Sequence, residues 1–321
     1  MLLLHCLRQQ QYKRLTHQVK KADGKVKKEL DLAVSAEEGG QMERVVWPKT
    51  PRDFTPEMCE AKGCKVGGFD LSDGAEPLPV EWINEVDSLS PPPFVYVARC
   101  VAADVHPDWL GKRAQPCSFD PNCKEAVTSK CDCTDPKFSG LAARTRGQCN
   151  WSCHCPATCE GRTMQRGVGV RLQVFKHEGK GWCLRTLSPI SKGDFIMEYV
   201  GERVSQVERK RREDRAADMG TYEMDTDEKN TSEKKTFICA FHVRNIAAFA
   251  AFACRKKMAN MARTRTLCQH WDRDFVHVVF SATEDVPAGT ELTYMRCNEG
   301  DPPSSSTYNC KCAHPECSER F

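Results

Sequence analysis

A mainly β fold with short helices, held at two places by thiolate-bound metal, is the class that this 321-residue sequence predicts. Three observations carry the prediction. Beyond Arg162 the apolar residues fall in segments of four to eight, rich in Val, Ile, Leu and Phe and separated by glycines and turns, as strands do. Between Cys117 and Cys159 eight cysteines crowd into 43 residues with little apolar sequence between them, so something other than hydrophobic burial must hold that stretch. A last knot of thiols reads Cys310-x-Cys312-x4-Cys317.

Composition narrows the function classes. Hydrophobic residues make up 40% and charged residues 28%, which fits a globular protein and not a fibrous or mostly disordered one. The longest apolar run, Ile246 to Cys254, is far shorter than the roughly 20 residues a membrane span needs. No membrane association is expected. The start Met1-Leu2-Leu3-Leu4-His5 lacks the positive flank of an export signal. Twenty cysteines without such a signal point to metal thiolates rather than disulfides. The net charge of +3 is too small for a wholly basic surface, yet residues 1–30 carry eight Lys/Arg against two acids, enough for a weak nucleic-acid contact or a solvated basic face.

Taken in order, residues 1–78 read as a basic, helix-prone start followed by loop, with Cys6, Cys59 and Cys64 at no metal-like spacing. Pro91-Pro92-Pro93 stiffens the approach to a strand over Phe94 to Val97. The first thiol array is Cys117-x5-Cys123-x7-Cys131-x-Cys133, then Cys149-x3-Cys153-x-Cys155-x3-Cys159. Two close groups joined by a loop is how a chain wraps thiolates around tetrahedral zinc, with an iron–sulfur centre as the rival. Strands are expected at Val168 to Phe175, Gly181 to Leu187, Phe195 to Val200 and Val276 to Phe280, and a charged surface helix at Glu202 to Met219. The C-terminal trio leaves one corner of a tetrahedron to fill, with Cys254 or Cys297 as candidates that spacing alone does not separate.

These pieces together resemble a SET-domain histone-lysine methyltransferase of the suppressor-of-variegation branch, which modifies lysine 9 of histone H3. Glu85-Val86-Asp87 followed by Pro91 to Tyr96 resembles the approach to the pre-SET region. Cys117 to Cys159, with Arg162, Gln165 and Gly167, resembles the pre-SET array. Gly181-Trp182 resembles the turn that cups S-adenosylmethionine, with Cys183 in place of a second glycine. Glu198-Tyr199-Val200-Gly201-Glu202, Tyr222, Glu291-Leu292-Thr293-Tyr294 and the last three cysteines match further motifs.

The resemblance implies a SET fold with a threaded knot, in four parts: residues 1–78, a pre-SET region at 79–166, the SET domain at 167–298 and a post-SET region at 299–321. It implies zinc ligation by Cys117, Cys123, Cys131, Cys133, Cys149, Cys153, Cys155 and Cys159, and by Cys310, Cys312 and Cys317 with Cys254 as their fourth. The pre-SET array would hold three zincs and the post-SET corner one. Nine cysteines serve the family's three zincs, and Gln115 stands where the ninth is expected, so Cys100, Cys64 or His106 would substitute; two separate zincs are the alternative. The resemblance further implies cofactor contacts from Gly181, Trp182, Tyr199 and Asn245, pocket roles for Tyr222 and Tyr294, a histone H3 tail or chromatin partner, and a nuclear, chromosomal location. A Phe or Tyr at position 294 influences how many methyl groups are added in that family.

The departures fall on the chemistry. Ala251, Phe252 and Ala253 replace the Asn, His and Ser of the family's NHSC motif, Arg244 replaces a glycine, Lys256-Lys257 replace Pro-Asn, and Arg296 stands where the catalytic tyrosine is expected. Methyl transfer needs a neutral amine in line with a sulfonium. A guanidinium that never deprotonates, placed about 4 Å from that sulfonium, opposes it by about 4 kcal/mol at an effective dielectric of 20, roughly a thousandfold in rate. A working methyltransferase with a rearranged cofactor site, and an inactive SET module that binds or scaffolds on chromatin, are the two readings. A zinc-rich nucleic-acid binder is disfavoured because finger-like helices with paired histidines are missing.

Overall fold

The computed structural model describes residues 53–103, 162–214, 222–226, 236–266, 277–295, 310, 311 and 317, all within the unit Lys49–Phe321. The pre-SET cysteines, residues 1–30, Cys297, Arg296 and Cys312 lie outside the described residues. Among the described residues the strands form three sheets.

The first sheet runs in the order β1-β2-β5-β6, from β1 (Val66–Gly68), β2 (Glu81–Asn84), β5 (Leu172–His177) and β6 (Gly181–Thr186). Helix α1 (Pro56–Lys62) precedes it, and residues 53–78, expected as loop, therefore belong to the folded body. The helix starts where Thr55 accepts from the Met58 amide and Pro fills the first turn, and stops where Gly63 takes a left-handed conformation (φ 66°). Lys62 then reaches Glu81 on β2 at 2.7 Å.

The second sheet has the order β3-β10-β8-β4, from β3 (Val95–Tyr96), β4 (Val101–Ala102), β8 (Gly201–Ser205) and β10 (Thr236–Arg244), with β9 (Glu223–Asp225) also paired to β10. Here the expected helix at Glu202 to Met219 is corrected. Residues 201–205 are a buried strand, and helix α2 covers only Gln206–Glu213, opened by the Ser205 side chain accepting from Glu208. Charges at Glu202 and Arg203 resemble a solvated face in sequence, but each has an internal partner. Arg212 clamps Glu202 through two contacts at 2.8 and 3.2 Å, and Arg203 donates to Thr236 at 3.0 Å. Gly201 is required by close approach, because a Cβ there would lie 2.5 Å from the Cys239 carbonyl oxygen.

The third sheet has the order β11-β14-β12-β13-β7, from β7 (Phe195–Tyr199), β11 (Ala251–Ala253), β12 (Met261–Thr266), β13 (His277–Ala282) and β14 (Thr293–Met295). Strand β14 runs parallel to both neighbours, with Phe252 and Met261 each paired to Tyr294. Trp82, Leu172, Val174, Leu184, Ile196, Met197, Ile238, Ile246, Val278, Phe280 and Leu292 form the main core, drawn from all three sheets. No helix among the described residues is long and apolar enough to cross a membrane.

Candidate functional site

Tyr294 lies on β14, between β11 and β12 of the third sheet, and its buried ring packs on Phe280 at 4.6 Å and Phe252 at 5.1 Å. Tyr199, at the end of β7, meets Phe280 edge-on at 6.3 Å and donates its hydroxyl to the Tyr222 carbonyl at 2.9 Å. Burial raises the Tyr199 phenol well above its ordinary value. Three of the tyrosines singled out in sequence thus converge, Tyr222 being half-buried on the same core. Gly181 and Trp182 open β6, where Gly181 adopts φ 84° with nothing within 4 Å of where a Cβ would be. Trp182 packs on Trp82 at 6.0 Å and carries the Lys176 ammonium over its ring. Burial beside Glu291 pushes the Cys183 thiol up to about 12, so it stays neutral.

Asn245 follows β10, and its carboxamide is engaged at both ends. The oxygen caps the 3-10 turn Ile246–Phe249 by accepting from Ala247 at 3.1 Å, and the nitrogen donates to the Glu198 carbonyl at 2.8 Å. Its amide ties the turn to β7. The Glu198 carboxylate meets His277 at 2.6 Å, a pair that the sequence reading missed because the partners lie 79 residues apart.

A second feature escaped the sequence reading. Arg244, noted there only as a substitution, is 3% exposed and lies among the rings of Phe94, Tyr222 and Phe249 at 4.8, 4.9 and 5.2 Å. Among the described residues its Nε and Nη1 have no hydrogen-bond partner. The ring faces compensate the buried charge in place of a carboxylate, each by about 0.5–2 kcal/mol. A lone Arg between the apolar runs ending at Val243 and starting at Ile246 was the available signal.

Among the described residues, three of the thiols expected at the post-SET corner come together. Cys254, Cys310 and Cys317 bring their sulfurs within 4.8 Å of one another, with Cys254 and Cys317 3.8 Å apart. Zinc bonded to sulfur at about 2.3 Å puts tetrahedral ligands about 3.8 Å apart, so the trio fits a zinc corner. The Met258 thioether lies 3.7 Å from Cys254. Cys312, the remaining member of the expected post-SET set, lies outside the described residues, as do Arg296 and the eight pre-SET thiols. Of the proposed substitutes for the missing pre-SET thiol, His106 also lies outside them, Cys64 packs beside Cys59, and Cys100 is next to Arg203.

Comparison with known proteins agrees with this architecture. A SET-domain profile matches residues 181–295. The chain is 28% identical over 268 residues to the H3 lysine-9 specific histone-lysine N-methyltransferase SUVH5 of Arabidopsis thaliana, covering 78% of this chain and 32% of that protein. It is 30% identical over 179 residues to Drosophila melanogaster histone-lysine N-methyltransferase Su(var)3-9, covering 53% of this chain and 28% of that one. It spans about a third of the length of these curated relatives. The crystal structure of Arabidopsis thaliana SUVH6 in complex with S-adenosylmethionine superimposes with a TM-score of 0.63 at 26% identity, over 78% of this chain and 55% of that one. Residues 181–295 thus match the SET domain, and the relatives of this chain include histone H3 lysine-9 methyltransferases of the Su(var)3-9 and SUVH type.

Proposed function

We propose that this chain is an S-adenosylmethionine-dependent protein-lysine N-methyltransferase of the histone H3 lysine-9 type, acting on chromatin in the nucleus. The observation that carries the reading is the convergence of Tyr199, Tyr222 and Tyr294 within the SET domain. Aromatic walls suit the chemistry, since they accept a methylated ammonium and leave an incoming neutral amine unsolvated. The SUVH6 complex supports S-adenosylmethionine as the donor. When bound, that cofactor supplies the electrophilic methyl group. Gly181 offers backbone at an open turn, Trp182 offers a ring beside it, and Tyr222 and Tyr294 orient the lysine. Cys254, Cys310, Cys312 and Cys317 would hold one structural zinc, and the Cys117 to Cys159 array would hold three, with the ninth ligand drawn from elsewhere. Residues 1–30 would add a weak contact to nucleic acid.

A second reading, a SET module that binds chromatin proteins without transferring methyl groups, is favoured by a specific observation. Phe252 and Ala251 present apolar side chains on β11, and the Asn245 carboxamide is engaged within the protein. Arg296 adds a cation at the expected catalytic position. Incubating the protein with radiolabelled S-adenosylmethionine and an H3 tail peptide decides between them. Label on the peptide that is lost when lysine 9 is replaced by alanine supports the enzyme. Peptide binding without label supports the module.

A further inference from the structure

Helix α1 ends in a backbone arrangement that brings two cysteines together. The Cys64 amide donates to the Cys59 carbonyl at 2.9 Å, and the Gly63 amide donates to Glu60 at 3.0 Å, with Gly63 in the left-handed region. These are the two bonds of a Schellman motif, whose geometry puts the side chains at the helix's third-from-last position and just beyond the glycine in contact. In most helices that contact is between two hydrophobic side chains. Here both are thiols, each buried, in a satellite cluster with Phe54 and Ile83. A disulfide needs Cα atoms about 4.4–6.8 Å apart, so two thiols brought into one buried cluster by such a turn are the kind of pair it can join.

We propose that Cys59 and Cys64 are a modification site, a dithiol that closes to a disulfide with a low-molecular-weight disulfide such as oxidised glutathione. One thiol, as thiolate, attacks a glutathione sulfur and expels the first glutathione, which takes up a proton. The second thiol then loses its proton and displaces the second glutathione from the mixed disulfide. Two protein thiols are oxidised, one glutathione disulfide is reduced to two thiols, and no other reactant is needed. Closure clasps the end of α1 to the residues entering β1, where Lys62 already bridges to Glu81 and lies over the Phe54 ring. The inference is independent of methyl transfer.

Burial and the neighbouring Cys59 push the Cys64 thiol up to about 11. Exchange starts from a thiolate, so closure quickens as pH rises.

Lys62 and Lys65 make the test direct. Trypsin cuts between the two cysteines, giving peptides 53–62 and 63–65 that stay joined only through a disulfide. The intact protein is treated with oxidised glutathione at pH 7 and pH 9, its free thiols are alkylated, and it is mapped without reduction. The expected result is the joined pair as the main product at pH 9, lost on adding reductant, while Cys59→Ser and Cys64→Ser each leave a glutathione adduct or a free thiol at the remaining position. Recovery of both peptides separately alkylated, or joined to other cysteines, overturns the proposal. So does protection of Cys64 from alkylation until a zinc chelator is added.

Discussion

Strands β11 and β14 and the thiol corner beside them show two kinds of contact in one place, and they have fared differently. The parallel pairing of Ala251, Phe252 and Ala253 with Thr293, Tyr294 and Met295 uses only backbone groups, and it stands although none of those first three residues is the Asn, His or Ser of the motif this segment resembles. Cys254, the next residue, keeps its side chain and meets Cys310 and Cys317. The Asn and His expected as cofactor handles three and two residues earlier are Ala251 and Phe252. A ladder tolerates replacement because every non-proline residue brings the same donor and acceptor. A ligand contact made by one side chain does not.

The largest effect that would sharpen this contrast comes from the metal. Removal of zinc by a chelator, or Cys254→Ser, should detach the C-terminal trio, lower the zinc content by one equivalent and reduce the midpoint of thermal unfolding, because structural zinc supplies folding free energy directly. Unchanged zinc content in Cys254→Ser would break the comparison at its firm side. Next comes the core behind Tyr294. Phe280→Ala, which removes a fully buried ring against both Tyr199 and Tyr294, should destabilise by about 3–5 kcal/mol in denaturant unfolding.

On the eroded side, the triple variant Ala251→Asn, Phe252→His, Arg296→Tyr should raise methyl transfer by about a thousandfold, the factor attached to an unrelieved guanidinium beside the sulfonium. No gain would place the defect elsewhere. Arg244→Met tests a smaller balance. It removes two unpartnered buried N–H groups, at about 1–3 kcal/mol, and also the stacking on three rings, so unfolding stability should change by less than about 1 kcal/mol.

The smallest effect is a pH dependence. Hydrogen bonds from Lys176, then from the Leu89 amide and Asn84, hold the Asp87 carboxyl down at about 2. A lowered carboxyl contributes stability above its unfolded-state pKa and loses it as pH falls through the folded value. The acid limb between about pH 4 and pH 2 should therefore flatten in Asp87→Asn, as followed by thermal unfolding.

The legible parts of the fold were those whose side chains announce their surroundings. Strands β5, β6, β7 and β13 were found from runs of Val, Leu, Ile and Phe, and the structure places all four inside or near the expected spans. Strand β12 reads Met-Ala-Arg-Thr-Arg-Thr and was missed, since only its ends are buried and arginines occupy its half-exposed middle. Strand β8 was mistaken for the start of a helix because a buried Glu and Arg with internal partners look, in one dimension, like a wet surface. Resemblance to a motif selected Cys254 over Cys297, which spacing alone could not do, and the structure brings Cys254 to Cys310 and Cys317. The commitment of Asn245 and the box around Arg244 were illegible for a different reason: both depend on partners far along the chain, Glu198 in one case and Phe94 in the other.

The most direct measurement is isothermal titration of the zinc-loaded protein with S-adenosylmethionine. If the open turn at Gly181 and the tyrosine cluster suffice to hold the methyl donor, binding is saturable in the micromolar range and weakens in Gly181→Val. Absence of heat at millimolar cofactor, from protein that carries its full zinc and unfolds cooperatively, would contradict the methyltransferase reading.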